Sequence, residues 1–542
     1  MRQATIGNTV GFLMDEEYFV RLHQSLRALI ALHPIGIVPV ANTYVRIGMW
    51  VCHYDTILPA YPGQAQSTLM NVIQDLDARA IAVQILLWAG SSLPNANAER
   101  TTNLDMQRRC AGLAHVNVYL QPYANEWLTR SSNHQKIVII NTGGALEALV
   151  GGFNLGSNYI SQTNHGAPAD VNWRQPGHNR WDSNLWHDTA VALKGPAAGE
   201  VEGVWVTNWN KPGNPFPPAV RAGVQPTPGP IPVTIATTQR VPAVGYWPFY
   251  GDTYETDIRD LLVAHINAAT NYVYIENYAL TDPAIIAALR GRLAAGVRVI
   301  VVVHHPNSRM FFANEVWSFL MFFTQIGLSV PIATQFNFNS RELRNLFRTV
   351  NNQLTTANYT FTARPTANLN NPLRAIQEFY DARIDFQHNV NVNQNGSFRV
   401  RDITGMVTPN AVMFAPRRGF DYGDGNGVRI EYPYVHAKLA FIDDRVAFVG
   451  SSNWTHRSMV NDGEISAIIE CRPTVQNFRQ TLFAHWGVLN GDIANWPMNS
   501  PVPGNGQVQM EALNFNHFMQ PTEYRAYTSG SSWLGWYAPN IF

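Results

Sequence analysis

The chain has 542 residues, 46% of them hydrophobic and 11% aromatic, which is enough apolar side chain to bury a large core and excludes a disordered polypeptide. Its 38 Lys and Arg balance 38 Asp and Glu, which argues against a protein that coats nucleic acid, since such proteins carry surplus cations to displace counterions. Only 14% of residues are charged, so Asn, Gln, Ser and Thr must make the surface polar, and three widely spaced cysteines, Cys52, Cys110 and Cys471, exclude a disulfide framework and read as buried thiols.

In chain order, Met1 to Val20 carries Asp15, Glu16 and Glu17 where a secretion signal would need an apolar run, so no signal peptide is expected. Tyr44–Cys52 reads as a strand, Ser67–Ala80 as an amphipathic helix and Ile81–Trp88 as a buried strand. From Asn210 to Val244 repeated prolines forbid regular helix or central strand, so this stretch reads as a linker between halves of residues 1–209 and 245–542. Beyond it, Tyr272–Leu280, Pro283–Ala295 and Val297–His304 repeat the strand, helix, strand order. Two β-α-β units predict an α/β fold of two pseudo-symmetric halves, each a mostly parallel sheet flanked by helices. The halves close alike: Pro196 precedes Trp209 by the same interval as Pro473 precedes Trp486, and both segments read as helices whose tryptophans pack in the core.

Between Pro306 and Asn410 the second half carries an Asn- and Phe-rich insertion, of the kind that forms a wall or lid over a site. Within it, Val316–Thr334 is interrupted by Gln325, Gly327 and Pro331 and is short for a bilayer, so it reads as a buried or interface-seeking helix and no transmembrane segment is expected. The neighbouring His304 and His305 point to opposite faces of a strand end and read as structural. Asp421, Asp424 and Asn426 lack the spacing of a calcium loop and read as a turn.

The chemistry sits in a pattern that occurs twice. Asn133–Asn141 reads NHQKIVIIN with GGFN following at Gly151–Asn154; Val435–Asp444 reads VHAKLAFIDD with GSSN at Gly450–Asn453. Residues i and i+2 of a strand share a face, so His134 projects with Lys136 and His436 with Lys438. Asn154 and Asn453 can return an amide donor to each pocket. Two imidazoles, two ammonium groups and two amides converging from two halves make a cage for a tetrahedral anion, in which one imidazole attacks phosphorus and the other protonates the leaving oxygen.

At these residues the chain resembles the phospholipase D superfamily, whose mark is HxKxxxxD followed by GxxN, and among its members is most like a bacterial-type phospholipase D. The second copy matches at His436, Lys438, Asp443, Gly450, Ser451, Asn453, Arg457 and Ser458. The first matches at His134, Lys136, Gly151, Gly152 and Asn154, with Asn141 standing where the family has Asp and reading as a turn residue. In the stretch WHDTAVALKGPA, Asp188 falls where the family has a carboxylate that pairs with a catalytic His, and Glu464 holds the corresponding place in the second half.

The resemblance implies an active site at the interface between halves and a covalent phosphohistidine, with His134 as nucleophile, His436 as general acid, Lys136, Lys438, Asn154 and Asn453 on the phosphoryl oxygens, and Asp443, Ser451 and Ser458 as further substrate contacts. It implies hydrolysis of the distal phosphodiester of glycerophospholipids to phosphatidic acid and a free head group, with transphosphatidylation. A superfamily endonuclease and a phospholipid head-group transferase are the alternatives, the former disfavoured by zero net charge. The aromatic stretches Met310–Phe323 and Trp533–Tyr537 suit insertion among acyl chains. The expected partner is a phospholipid at a membrane or micelle surface, with no nucleic acid, no cofactor and no metal. The chain is expected to act as a monomer, exported without a visible signal peptide or, alternatively, in the cytoplasm.

Overall fold

The computed structural model describes residues 3–90, 98–122, 132–156, 159–160, 186–223, 227, 229–241, 253–277, 280, 282–304, 411–421, 427–460, 462–487 and 507–512. The 306–410 insertion, His305, Asp424, Asn426 and the Trp533–Tyr537 stretch lie outside the described residues.

In the first half the strands are β1 (Thr5–Met14), β2 (Thr43–Met49), β3 (Ala82–Trp88), β4 (Val116–Gln121), β5 (Ile137–Thr142), β6 (Leu146–Gly151) and β7 (Thr189–Lys194). The second half contains β8 (Ile231–Val241), β9 (Tyr272–Asn277), β10 (Arg298–Val302), β11 (Ala411–Asp421), β12 (Lys438–Ile442), β13 (Val446–Gly450) and β14 (Glu464–Ile469). They hydrogen-bond in the order β4-β3-β2-β5-β6-β7-β1-β8-β14-β13-β12-β9-β10-β11. Read outward from the central pair β1 and β8, both halves show the same sequence of partners and strand senses. The duplication legible in the sequence is therefore a duplication of topology.

Among these fourteen strands parallel pairing is confined to β2-β3-β4 and β9-β10-β11. The rest of each sheet is antiparallel, which corrects the expectation of mostly parallel sheets. The cause is connection length. Only Gly143, Gly144 and Ala145 separate β5 from β6, and only Asp443, Asp444 and Arg445 separate β12 from β13, and so short a link can make a hairpin but not a crossover.

The helices sit where their caps and apolar faces place them. Helix α1 (Glu16–Leu32) follows β1; α2 (Leu69–Asp77) starts at Thr68, whose hydroxyl accepts from Asn71 N at 3.2 Å, and buries Leu69, Met70, Val72, Ile73 and Leu76. The equivalent helix of the second half, α4 (Pro283–Ala294), begins with Pro in its first turn and with Asp282 accepting from Ala284 N at 3.0 Å and Ile285 N at 3.1 Å. Helices α3 (Pro196–Trp209) and α5 (Arg472–His485) close the halves, and Trp205, Trp209 and Trp486 pack with Leu482 and Phe483 in one core cluster. Among the described residues no helix is long and apolar enough to cross a membrane.

The Pro-rich stretch divides at Ile231. Its first part wraps α3, with Trp209 Nε1 donating to Pro217 O at 3.1 Å and Ala219 N to Asn210 Oδ1 at 2.8 Å. From Ile231 it becomes β8, a central strand between β1 and β14, contrary to the expected linker through Val244. Pro232 supplies only its carbonyl, to Glu470 N at 3.2 Å, and the following Val-Thr-Ile-Ala-Thr-Thr run has every N–H available and suits a pleated surface.

Candidate active site

Both motif lysines end at the same place for the same reason. Each ammonium donates to the carbonyl of the histidine two residues before it, Lys136 Nζ to His134 O at 2.7 Å and Lys438 Nζ to His436 O. Both lysines are buried, and they lie close enough for Lys438 to disfavour charge on Lys136 and for both to disfavour charge on His436. The hairpins β5-β6 and β12-β13 bring Asn154 and Asn453 back toward these strand starts. Asn154 Oδ1 accepts from Val51 N at 3.3 Å, which leaves its NH2 as the end able to donate to an anion.

The carboxylates are exchanged between halves. His134 Nδ1 lies 2.9 Å from Glu464 Oε1, and His436 Nδ1 lies 2.7 Å from Asp188 Oδ2. The backbone repeats the exchange: His134 N donates to Gly463 O and His436 N to His187 O, each at 2.8 Å. Tyr434 and Val435 run parallel to Trp186 and His187, and Asn133 bridges Gly463 in the same sense. Each imidazole thus belongs to one half and the group that fixes its tautomer to the other. Chain order alone could not assign the pairs.

Ser451 and Ser458, expected to touch substrate, serve Glu464 instead. Both hydroxyls donate to its carboxylate, and Ser451 Oγ also accepts from Ile465 N at 3.1 Å. At the matching place in the first half stands Gly152, where a Cβ would collide with the Asp188 carboxylate. Asp188 is held by Thr189 N at 2.9 Å.

Asp443, also expected at the substrate, lies at the opposite end of β12 and accepts from Thr270 N at 2.7 Å, Thr270 Oγ1 at 3.0 Å, Asn271 N at 2.8 Å and Tyr272 N at 2.9 Å. It anchors the start of β9. Seven residues after its histidine and five after its lysine, it is carried away from the pocket by the strand's own length. Asn141, its counterpart, accepts from Gly144 N at 2.9 Å and donates to Tyr44 Oη at 3.1 Å, as a turn residue.

Dehydration dominates the electrostatics. Burial pushes the Lys136 ammonium down to about 7, with Lys438 adding to the shift and Glu464 opposing it. Burial, then Lys438, Lys136 and His304, hold His436 well below the ordinary imidazole range. Burial lifts Asp188 to about 6 against the pull of Lys438, and lifts Glu464 well above the carboxylate range against that of Lys136. His304, read as a strand-end residue, is buried and stacks on Tyr434 with centroids 4.9 Å apart, close enough to bear on His436.

Several contributors carried no sequence motif. Trp50 meets His134 edge-on at 5.5 Å and stacks on Trp88, while Trp186 packs 4.8 Å from His436. Beneath His134 runs a chain of neutral amides: Asn133 Nδ2 donates to Gln121 Oε1 at 2.9 Å, Gln121 Nε2 to Asn208 O at 3.1 Å, and Asn208 Nδ2 to Gln135 Oε1 at 2.9 Å. Beneath His436 the corresponding space holds Asp15, His187, Glu276 and His485, all ionisable and buried. A Glu inside the apolar strand YVYIENYAL was the one visible sign of this cluster.

Residues 398–486 match a family described as "Cardiolipin synthase, PLD-like domain", a span that contains His436, Lys438, Asn453 and Glu464, and the first half repeats this constellation. The second half thus carries a match to a PLD-like domain, and the chain is similar to members of the phospholipase D superfamily. Cardiolipin synthase A of Pseudomonas fluorescens (strain SBW25) is 27% identical over 214 residues, covering 38% of each chain. Cardiolipin synthase A of Pseudomonas putida (strain F1) is 24% identical over 315 residues, 55% of this chain and 59% of that one. A solved phosphatidylserine synthase of Haemophilus influenzae Rd KW20 aligns with 89% of this chain and 88% of its own at 11% identity and a TM-score of 0.44. The chain thus spans 38% and 59% of the lengths of these two curated relatives.

Proposed function

We propose that the protein is a phospholipid head-group transferase working through a phosphohistidine. The observation that carries the chemistry is the pair of imidazoles, each oriented on Nδ1 by a carboxylate of the other half and so presenting Nε2 beside two buried lysines. Transfer is preferred over hydrolysis because the matched curated relatives are named for synthesis of a phospholipid. Hydrolysis to phosphatidic acid, first in the sequence reading, becomes the slower branch, and the nuclease alternative finds support neither in those names nor in a balanced charge.

In the first step the neutral His134 Nε2 attacks phosphorus, the bond to the head-group oxygen breaks, and His436 gives that oxygen its proton. In the second, His436 takes a proton from an acceptor hydroxyl, whose oxygen displaces His134 and receives the phosphatidyl group. Lys136, Lys438 and the amide of Asn154 meet the equatorial oxygens. The anion offsets the two lysines that otherwise depress His436, so the imidazole gains its proton when substrate binds. This reading requires no metal ion.

Product analysis tests the proposal. Vesicles of labelled phosphatidylglycerol, supplied with a polyol acceptor, should yield chiefly the lipid carrying the new head group. Phosphatidic acid as sole product at every acceptor concentration overturns transfer in favour of hydrolysis, and an inert wild type overturns both.

A further inference from the structure

The charged cluster beneath His436 has a geometry of its own. His187 is fully buried, and both ring nitrogens face carboxylates: Nδ1 is 3.1 Å from Asp15 Oδ1 and Nε2 is 3.0 Å from Glu276 Oε2. Glu276 also accepts from Tyr274 Oη at 2.5 Å and Trp486 Nε1 at 2.6 Å, so its position is fixed. Asp15 and Asp188 exchange backbone contacts, Asp15 N donating to Asp188 O and Asp188 N to Asp15 Oδ1, both at 3.2 Å. His485 Nε2 approaches Asp15 Oδ2 at 3.4 Å. Asp15 precedes α1 with φ of 50°, a conformation uncommon outside glycine, and its side chain caps no helical N–H. A residue with capping chemistry is thereby committed to His187 and Asp188.

We propose that His187 is a positioning residue, an imidazolium clamped between Asp15 of the first half and Glu276 of the second, which sets Asp188 against His436 and keeps Asp188 ionised. Both links run through the chain itself. The carbonyl of His187 receives His436 N, and the next residue is Asp188, bonded to His436 Nδ1. Two carboxylates close to one buried imidazole favour its charged form. Burial alone would push that imidazole down, but Asp15 and Glu276 outweigh it and push it up to about 10, and its charge in turn opposes the burial that raises Asp188. His485, by contrast, is pushed down to about 4 by burial and by the neighbouring His187, so one positive charge serves two carboxylates. At the corresponding place beneath His134 stands Gly463, with neutral amides behind it, so the clamp acts on one dyad only.

The proposal rests on the catalytic reading of Asp188 and His436, and its test separates the two. His187→Gln and Glu276→Gln variants would be assayed on a soluble p-nitrophenyl phosphodiester across pH, with melting temperature followed in parallel. The clamp predicts folded variants with kcat about tenfold lower or more, KM within about twofold, and the acid limb moved to higher pH, because Asp188 without its cation takes up a proton more readily. Unchanged kcat and acid limb in folded variants overturn it. Nitrogen-15 NMR of the wild type supplies a second readout independent of turnover and of variant folding. One imidazole retaining both ring protons at about pH 9 supports the clamp, and all imidazoles neutral at that pH overturns it. If the wild type cleaves no phosphodiester, the functional reading has failed and the NMR result alone decides.

Discussion

The two halves bring the same groups to the proposed site and stand on different foundations. Each offers a histidine, a lysine and an asparagine at the same strand ends and receives a carboxylate from its neighbour. Behind the shared face, His134 rests on the uncharged amides of Asn133, Gln121, Asn208 and Gln135, and its Glu464 is braced by two hydroxyls. His436 rests on Asp15, His187, Glu276 and His485, and its Asp188 presses against Gly152. The proposed two-step displacement needs one imidazole as nucleophile and then leaving group and the other as acid and then base, and identical surroundings would give them identical proton affinities. The duplicated strands supply symmetry of position; the unmatched residues beneath give the two imidazoles different surroundings, neutral amides under one and charged groups under the other.

The largest expected effect comes from removing either imidazole. His134→Ala and His436→Ala should each leave less than about a hundredth of wild-type turnover on a soluble phosphodiester, and the double variant should be no worse than either, because the two act in one sequence of steps. A folded single variant above that level breaks the claim that both halves are needed.

The pH dependence sharpens the contrast. In the free enzyme His436 is held well below its ordinary range and Lys136 is pushed down to about 7. Both must carry charge to bind the anion and protonate the leaving group, so kcat/KM should fall as pH rises through these values. Bound substrate offsets the lysines and raises the proton affinity of His436, so the alkaline limb of kcat should lie at higher pH than that of kcat/KM. Coincident limbs contradict this account of the acid.

A smaller effect separates the anchors from the site. Asp443 accepts four hydrogen bonds at the remote end of β12, so Asp443→Ala should cost about 2–4 kcal/mol of stability while kcat changes less than about threefold. Asn141→Ala, which loses two such bonds, should cost about 1 kcal/mol. Denaturant titration paired with initial rates checks both.

The duplicated β-α-β order and both HxK motifs were legible because they obey local rules: strand alternation, helix caps and repeated spacing. Strands 272–277 and 298–302 and helices 196–209 and 472–485 fall within a few residues of the expected places. What the sequence concealed was long-range. Strand β8 hid behind the prolines that precede it, and β1, interrupted by Gly7, Asn8 and Gly11, lacks a clear alternation of apolar residues. The roles of Ser451, Ser458 and Asp443 depend on which end of a strand faces the pocket, and motif membership does not record that. His187 sat beside a residue already singled out, yet its partners lie 172 and 89 positions away.

The most direct test of the assembly is which carboxylate belongs to which imidazole, measured as coupling in folding stability by double-mutant cycles. His134→Ala with Glu464→Gln, and His436→Ala with Asp188→Asn, should each show a coupling of about 1 kcal/mol, since each pair shares a buried hydrogen bond. The same-half combinations, His134→Ala with Asp188→Asn and His436→Ala with Glu464→Gln, should be additive within about 0.5 kcal/mol. Coupling confined to the same-half combinations would contradict the crossed site.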